Sequence, residues 1–450
     1  MERERLGSRL GFILLSAGCA IGIGNVWKFP YMVGQYGGGA FVLCYLFFLI
    51  ILGIPVMTIE FALGRASRKS PVKLYHELER PGQKWHLHGY AAMAGNYLLM
   101  MFYTTVAGWM LHYFFFMAGG TFVGTDVEAV GSIFGNMLAD PFGMIGFMAA
   151  VVLLGFFVCS RGLQNGLEKV NKFMMLALLA IMVILAINSA LLKGSGEGLR
   201  FYLLPDFDRM SDLGIGNVMS GAMTQAFFTL SLGIGAMAIW GSYIGKERAL
   251  LGEAVNVGIL DTFVAFVSGL IIFPACFAYG VSPDSGPGLI FVTLPNIFNH
   301  MPAGRLWGSL FFIFMFFAAF STVLAVFENI ISCCMDLFGW ARKKACSINA
   351  VVMILLSLPC AVGYNLLSGF QPRGAGSTVL DLEDFLVSNL FLPLGSLIYV
   401  VFATSRYGWG WEKLTAEANQ GKGLKIARWM RPYMTYVLPV IVLIVFVLSL

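Results

Sequence analysis

Only 12% of the 450 residues are charged, about half the roughly 25% of an ordinary soluble domain. A soluble surface of this size needs more charge than that, so most of the exposed surface is expected to face something other than water. The eight cysteines, at 19, 44, 159, 276, 333, 334, 346 and 360, contain no C-x-x-C pair, and the five histidines share no metal-ligand spacing. That argues against a zinc centre and against a disulfide framework. No Pro-, Gly- or Ser-rich linker divides the chain, so residues 1–450 are expected to form one domain. No basic run is interleaved with aromatics, which argues against a nucleic-acid partner. No nucleophile and base converge in the pattern, so neither an enzyme nor an organic cofactor is expected. The first apolar run lacks a small-residue cleavage site and is read as a working span, not a signal peptide.

What the chain has is apolar length. Hydrophobic residues make up 58% of it and recur in eleven runs of about 20 residues or more. They lie at 10–35, 40–64, 90–117, 142–160, 168–192, 213–242, 254–280, 306–338, 347–368, 378–405 and 432–450. The fold class is therefore an all-α polytopic membrane protein with the lipid bilayer as its partner. Twenty-three of the 29 lysines and arginines fall on one side if the N-terminus is cytoplasmic; Lys28, Lys193, Arg200, Arg209, Arg305 and Arg373 are the rest. The positive-inside rule then places the protein in the plasma (inner) membrane with its N-terminus inside and, after eleven spans, its C-terminus outside. The net charge of +5 follows from this loop bias.

Two of the runs are unusual. Ser16–Trp27 (SAGCAIGIGNVW) and Phe227–Trp240 (FFTLSLGIGAMAIW) each place Gly-Ile-Gly in a helix-length apolar stretch. Glycine weakens a helix where hydrocarbon offers no other partner to freed amides and carbonyls. Such breaks persist where they line a cavity or hold a ligand, and a pair of them points to a secondary transporter. Five spans separate the two breaks, which implies inverted repeats at 10–192 and 213–405 with 432–450 appended. One further oddity is Asp261, in Val257–Phe266. A carboxylate at mid-membrane costs about 2.5 to 3.5 kcal/mol on insertion scales, so it is a functional candidate.

Five motifs carry a resemblance: Arg9-Leu-Gly-Phe12, the run Ala17–Pro30 (AGCAIGIGNVWKFP), Gly37-Gly-Gly-Ala-Phe41, Gly53–Arg65 (GIPVMTIEFALGR) and Gln225–Gly235 (QAFFTLSLGIG). Together they resemble the neurotransmitter:sodium symporter family, in the form of a bacterial amino-acid transporter with eleven transmembrane helices, of which helices 1 and 6 are broken. The resemblance covers spans one to ten. It implies a sodium-coupled symporter importing a neutral hydrophobic or aromatic amino acid by alternating access; a non-transporting sodium-dependent receptor or sensor is the alternative. The implied substrate pocket comprises Cys19, Ala20, Ile23, Gly24, Leu99, Tyr103, Phe228, Thr229, Ser231, Ile234, Thr322 and Val326. Two sodium ions are implied, one at Ala20, Asn25, Thr229 and Asp261 and one at Gly18, Ile21, Ala318, Ser321 and Thr322. The implied gates are Lys28 with Asp384 outside, Tyr103 and Phe228 as an aromatic lid, and Arg3 with Asp336 inside, near Ser242 and Tyr243. A homodimer is compatible with the resemblance.

Gly22 stands where monoamine carriers of that family hold an aspartate, which favours an amino-acid carrier. Chloride-dependent members hold asparagine at 261 and serine at 265; Asp261 and Ala265 here imply chloride independence. Three positions depart from the family pattern: Lys28 for arginine, Leu6 for tryptophan, and a fifth span without the unwinding proline. Glu60 and Glu328 are assigned to helix organisation, the Phe311–Phe320 run to lipid contact, and Gly37-Gly-Gly to close packing. Gly22-x-Gly24 lacks the third glycine and the preceding strand of a dinucleotide site.

Overall fold

A computed structural model describes residues 6–280 and 288–448 of the chain. Among these the fold is helical, with one isolated bridge between Arg248 and Lys422 and no sheet. Among the described residues nine helices are long and apolar enough to cross a membrane: α3 (Gly39–Ser67), α5 (His86–Gly119), α6 (Pro141–Ser160), α7 (Leu163–Ala190), α10 (Leu250–Ala278), α11 (Gly304–Phe338), α12 (Arg342–Ala361), α13 (Val379–Thr404) and α14 (Met430–Leu448). A tenth span is the pair α1 (Arg9–Ala20) and α2 (Gly24–Gln35), bent by 56°. The expected sixth span is two helices too short to cross singly, α8 (Ile215–Thr229) and α9 (Ala236–Tyr243), joined by residues 230–235. A short helix, α4 (Pro71–Leu78), lies between α3 and α5.

The elements start and bend for local reasons. Ser8 caps α1, its hydroxyl accepting the Gly11 amide at 2.9 Å. Widened π-helical turns at Gly24–Lys28, Leu49–Gly53, Leu289–Thr293, Leu386–Phe391 and Tyr433–Val437 each run just ahead of Pro30, Pro55, Pro295, Pro393 and Pro439. Proline lacks an N–H and pushes on the carbonyl a turn earlier, and an extra residue in that turn relieves both. A sixth such turn, Leu163–Glu168, opens α7 without any proline. There Glu168 leaves its own helix to accept the Gly7 amide at 2.9 Å and the Ser8 hydroxyl at 2.8 Å, tying the start of α1 to α7.

The centre of the bundle is α11, packed against α5, α6 and α7. Of its apolar window 83% is buried inside the protein, against 22% for α14 at the periphery. This corrects the reading of Phe311–Phe320 as lipid contact. Phe311, Phe312, Phe314, Phe316 and Phe320 are all buried, and Phe312 meets Tyr113 and Phe291 with ring centroids at 5.0 and 6.3 Å. An all-round apolar helix fits lipid or core equally well by composition; its central position decides. On the other side, α3 and α9 approach backbone to backbone, Gly64 against Ala238 and Gly241 against Phe61, as small residues allow between membrane helices.

Candidate functional site

The two chain breaks meet. In the first, Ile21 is extended (φ −70°, ψ 106°) after α1 ends at Ala20. In the second, Ser231, Gly233 and Gly235 all take positive φ (50°, 98° and 73°) between α8 and α9. Ser231 is not glycine, so its left-handed backbone is strained. It is held by its hydroxyl donating to the Cys19 carbonyl at 3.3 Å and its amide to the Phe228 carbonyl at 3.1 Å. The backbone groups freed by the breaks find side chains. Tyr103 Oη accepts the Ile23 amide at 2.9 Å, Gln225 donates to the Gly24 carbonyl at 2.9 Å, and Asn96 donates to the Ile234 carbonyl at 2.8 Å. Glu60 spans the start of α9, accepting the Gly233 amide at 2.6 Å and the Met237 amide at 3.3 Å. Its role is the helix organisation expected of it, exercised on the break itself.

Asp261, on α10, is fully buried beside the first break. Its carboxylate accepts Asn25 Nδ2 at 2.8 Å, Thr229 Oγ1 at 3.1 Å and Tyr45 Oη at 3.4 Å. Asn25 in turn accepts the Gly22 amide at 3.1 Å. Asn25, Thr229 and Asp261 are thus brought together as expected, with Ala20 lining the adjoining cavity. A second knot of oxygens lies where α11 crosses α1. Thr322 Oγ1 reaches the carbonyls of Ile21 (3.1 Å) and Gly18 (3.2 Å), and Ser321 Oγ reaches those of Ala318 (2.9 Å) and Ile21 (3.3 Å). All five expected residues meet there. Hydroxyls can turn their protons away and present lone pairs, and carbonyl and hydroxyl oxygens suit a hard cation.

Between the knots is a cavity lined by Ala20, Gly24, Leu99, Tyr103, Phe228, Ser231, Thr322 and Leu392. It leaves the centre of a water-sized sphere only ≈ 20 Å³, roughly one water. A small molecule enters only if the walls part. Seven of the twelve expected pocket residues line it; Cys19, Ile23, Thr229, Ile234 and Val326 do not. Cys19, Ile23 and Ile234 contribute backbone to the breaks, Thr229 turns to Asp261, and Val326 is packed in α11 with 0% exposure. Leu392 is the unexpected wall residue, presented by the widened turn ahead of Pro393. A Cβ on Gly22 would run into Tyr103 Oη and Thr322 Oγ1, so a side chain there has no room without rearrangement.

Above Phe228 sits Lys28, its Nζ 3.7 Å from the ring centroid and 3.8 Å from Asp384 Oδ2. Lys28 and Asp384 are partly exposed, and such pairs contribute under about 1 kcal/mol. At the opposite end Asp336 accepts the Ser70 amide at 2.7 Å. Arg3 lies outside the described residues. Tyr243 donates to Glu328 at 2.6 Å, and Arg342 grips the same carboxylate at 2.6 and 3.0 Å. Ser242 contributes its carbonyl to Arg68 at 3.1 Å.

Two interrupted helices sharing one buried carboxylate, a knot of oxygens and a small central cavity define a membrane transporter of the broken-helix class. The sequence matches the sodium:neurotransmitter symporter family over residues 3–122 and 136–450, and the chain belongs to that family. An uncharacterised sodium-dependent transporter of Bacillus subtilis is 32% identical, the match covering 98% of this chain and 96% of that one. A taurine transporter of Canis lupus familiaris, named sodium- and chloride-dependent, is 25% identical over 100% of this chain and 78% of its own length. The crystal structure of MhsT in complex with L-phenylalanine superposes with a TM-score of 0.88 at 37% identity, covering both chains completely. The family consists of sodium-coupled transporters, not enzymes.

Proposed function

We propose that this protein imports a neutral hydrophobic or aromatic amino acid across the plasma membrane, coupled to two sodium ions and independent of chloride. The observation that carries the reading is the convergence of both helix breaks on an apolar cavity flanked by Asp261 on one side and the Ser321–Thr322 oxygens on the other. Leu99, Phe228 and Leu392 leave a charged substrate side chain without a partner. Backbone ends at the breaks suit the substrate's own carboxylate and amine. MhsT, with phenylalanine bound, supports the same substrate class. Residues 10–192 and 213–405 act as inverted repeats, with 432–450 appended and the N-terminus cytoplasmic.

In this mechanism Asn25, Thr229 and Asp261 take one sodium ion and the knot around Thr322 the other. Phe228 closes over the substrate with Lys28 and Asp384 above it, and the inner end then opens. Two charges moved through ~100 mV supply ~4.6 kcal/mol, enough for a ~10³-fold gradient. Reconstituted liposomes with an inward sodium gradient are expected to accumulate one hydrophobic or aromatic amino acid from a labelled panel. Sodium-dependent binding without accumulation would instead establish the receptor reading. Replacing chloride by gluconate is expected to leave the uptake rate unchanged, because Asp261 supplies a fixed negative charge and Ala265 offers no ligand to an anion. Uptake that vanishes in gluconate overturns chloride independence.

A further inference from the structure

The histidines show no ligand spacing along the chain, yet the fold brings two of them together with an acid. His76 lies on α4, Glu79 just past its end, and His86 opens α5, so the turn between the helices folds all three onto one spot. The His76 and His86 rings stack with centroids 4.5 Å apart and planes 18° apart. His86 Nδ1 is 2.6 Å and His76 Nδ1 4.0 Å from Glu79 Oε1. Among the described residues this is the one group whose His and carboxylate ligand atoms all lie within 4.8 Å of one another.

We propose that His76, Glu79 and His86 form a binding site for a borderline-soft divalent cation of the Zn²⁺ type, at the end of the bundle where α1 begins. Two imidazoles and one carboxylate, with water in a fourth position, form a donor set that Zn²⁺ accepts. Ligand atoms around tetrahedral zinc lie about 3.3 Å apart, given metal–ligand bonds of about 2.0–2.2 Å. His76 Nδ1 therefore needs to close on Glu79 Oε1 by about 0.7 Å and His86 Nδ1 to draw back from it by about as much, within the reach of side-chain rotation. Glu79 is already oriented, since its second oxygen accepts the His86 amide at 3.1 Å. Tyr75 Oη meets His88 Nδ1 at 2.6 Å and pins α4 to α5, and Trp85 donates to the Tyr407 carbonyl at 3.3 Å, so the backbone is held without any ion. The side chains of His76 and His86 are 37% and 26% exposed, which leaves a path for the ion. Binding through Nδ1 takes the neutral Nε2–H tautomer of His86, so the proton shared with Glu79 is given up at Nδ1 while exchange with water leaves one on Nε2.

The test titrates Zn²⁺ into tag-free purified protein in detergent against a fluorescent chelator, and Co²⁺ by its visible absorption. The expected result is one ion per chain, with the affinity falling more than about tenfold, the scale that even an outer partner commands, in H76A, H86A and E79Q and unchanged in H300A. Thermal unfolding without metal checks that each variant is folded; H76A, at an exposed position, decides the matter if H86A is not. No saturable binding in the wild type, or equal binding in H76A and E79Q, overturns the proposal. The measurement is independent of transport and stands or falls apart from the function proposed above.

Discussion

Asp261→Ala is expected to abolish sodium-driven uptake, by more than about 100-fold at physiological sodium, in a protein that still purifies folded. Two losses combine. The carboxylate anchors Asn25, Thr229 and Tyr45 at 2.8, 3.1 and 3.4 Å, and each donor left unpaired out of reach of water costs about 1–3 kcal/mol. The missing charge matters more to the ion. A unit charge 4 Å from a cation contributes about 4 kcal/mol at an effective dielectric near 20, which corresponds to roughly a 10³-fold change in sodium affinity. Asp261→Asn keeps one oxygen for the donors and loses only the charge, so uptake should return at high sodium. The measurement is the sodium dependence of uptake in liposomes for the three proteins. An unchanged sodium midpoint in Asp261→Asn would remove Asp261 from the sodium site.

That carboxylate was legible because lipid makes charge conspicuous. The breaks were legible for a similar reason: Gly-Ile-Gly is ordinary in a loop and costly in an apolar helix. The spans were legible to within a few residues, and the misses have causes. The ninth was expected to begin at 347, after the basic run, but α12 starts at Arg342, because that arginine turns back to the buried Glu328. The sixth run, 213–242, is interrupted where its Gly-Ile-Gly implied, as two short helices around a turn with three positive-φ residues. Tyr45 and Leu392 gave no signal, since a tyrosine or a leucine in a membrane helix is common and only tertiary packing turns them onto the site, and Gln225 stood in a motif without an assigned role. The fifth span lacks the unwinding proline yet opens on a widened turn, accompanied by bonds from Gly7 and Ser8 to Glu168. His76 and His86 escaped notice because ten residues match no helical or zinc-finger spacing; a tight helix–turn–helix closes the gap.

Gly233→Ala is expected to be strongly destabilising, and its cost separates into two parts that can be measured independently. Gly233 holds φ at 98°, where an L side chain is strained by about 1–3 kcal/mol. It also touches the facing chain: a Cβ would meet the Leu392 carbonyl and stand 2.9 Å from the Ser396 amide, both backbone atoms that cannot rotate away. Overpacking of that kind adds about 1–3 kcal/mol. Gly339 supplies the control, since it also has a positive φ (66°) and nothing lies within 4 Å of its Cβ position. Gly339→Ala is therefore expected to lower the thermal midpoint modestly through strain alone, and Gly233→Ala to lower it by at least twice as much. Because the same carbonyl belongs to Leu392, a wall of the cavity, and the same glycine amide is held by Glu60 at 2.6 Å, the displaced break should also weaken substrate binding beyond what stability accounts for. Equal midpoints for the two variants would mean that the second break has room to move against α13, and that the close approach of Gly233 to Gly395 does not fix its geometry.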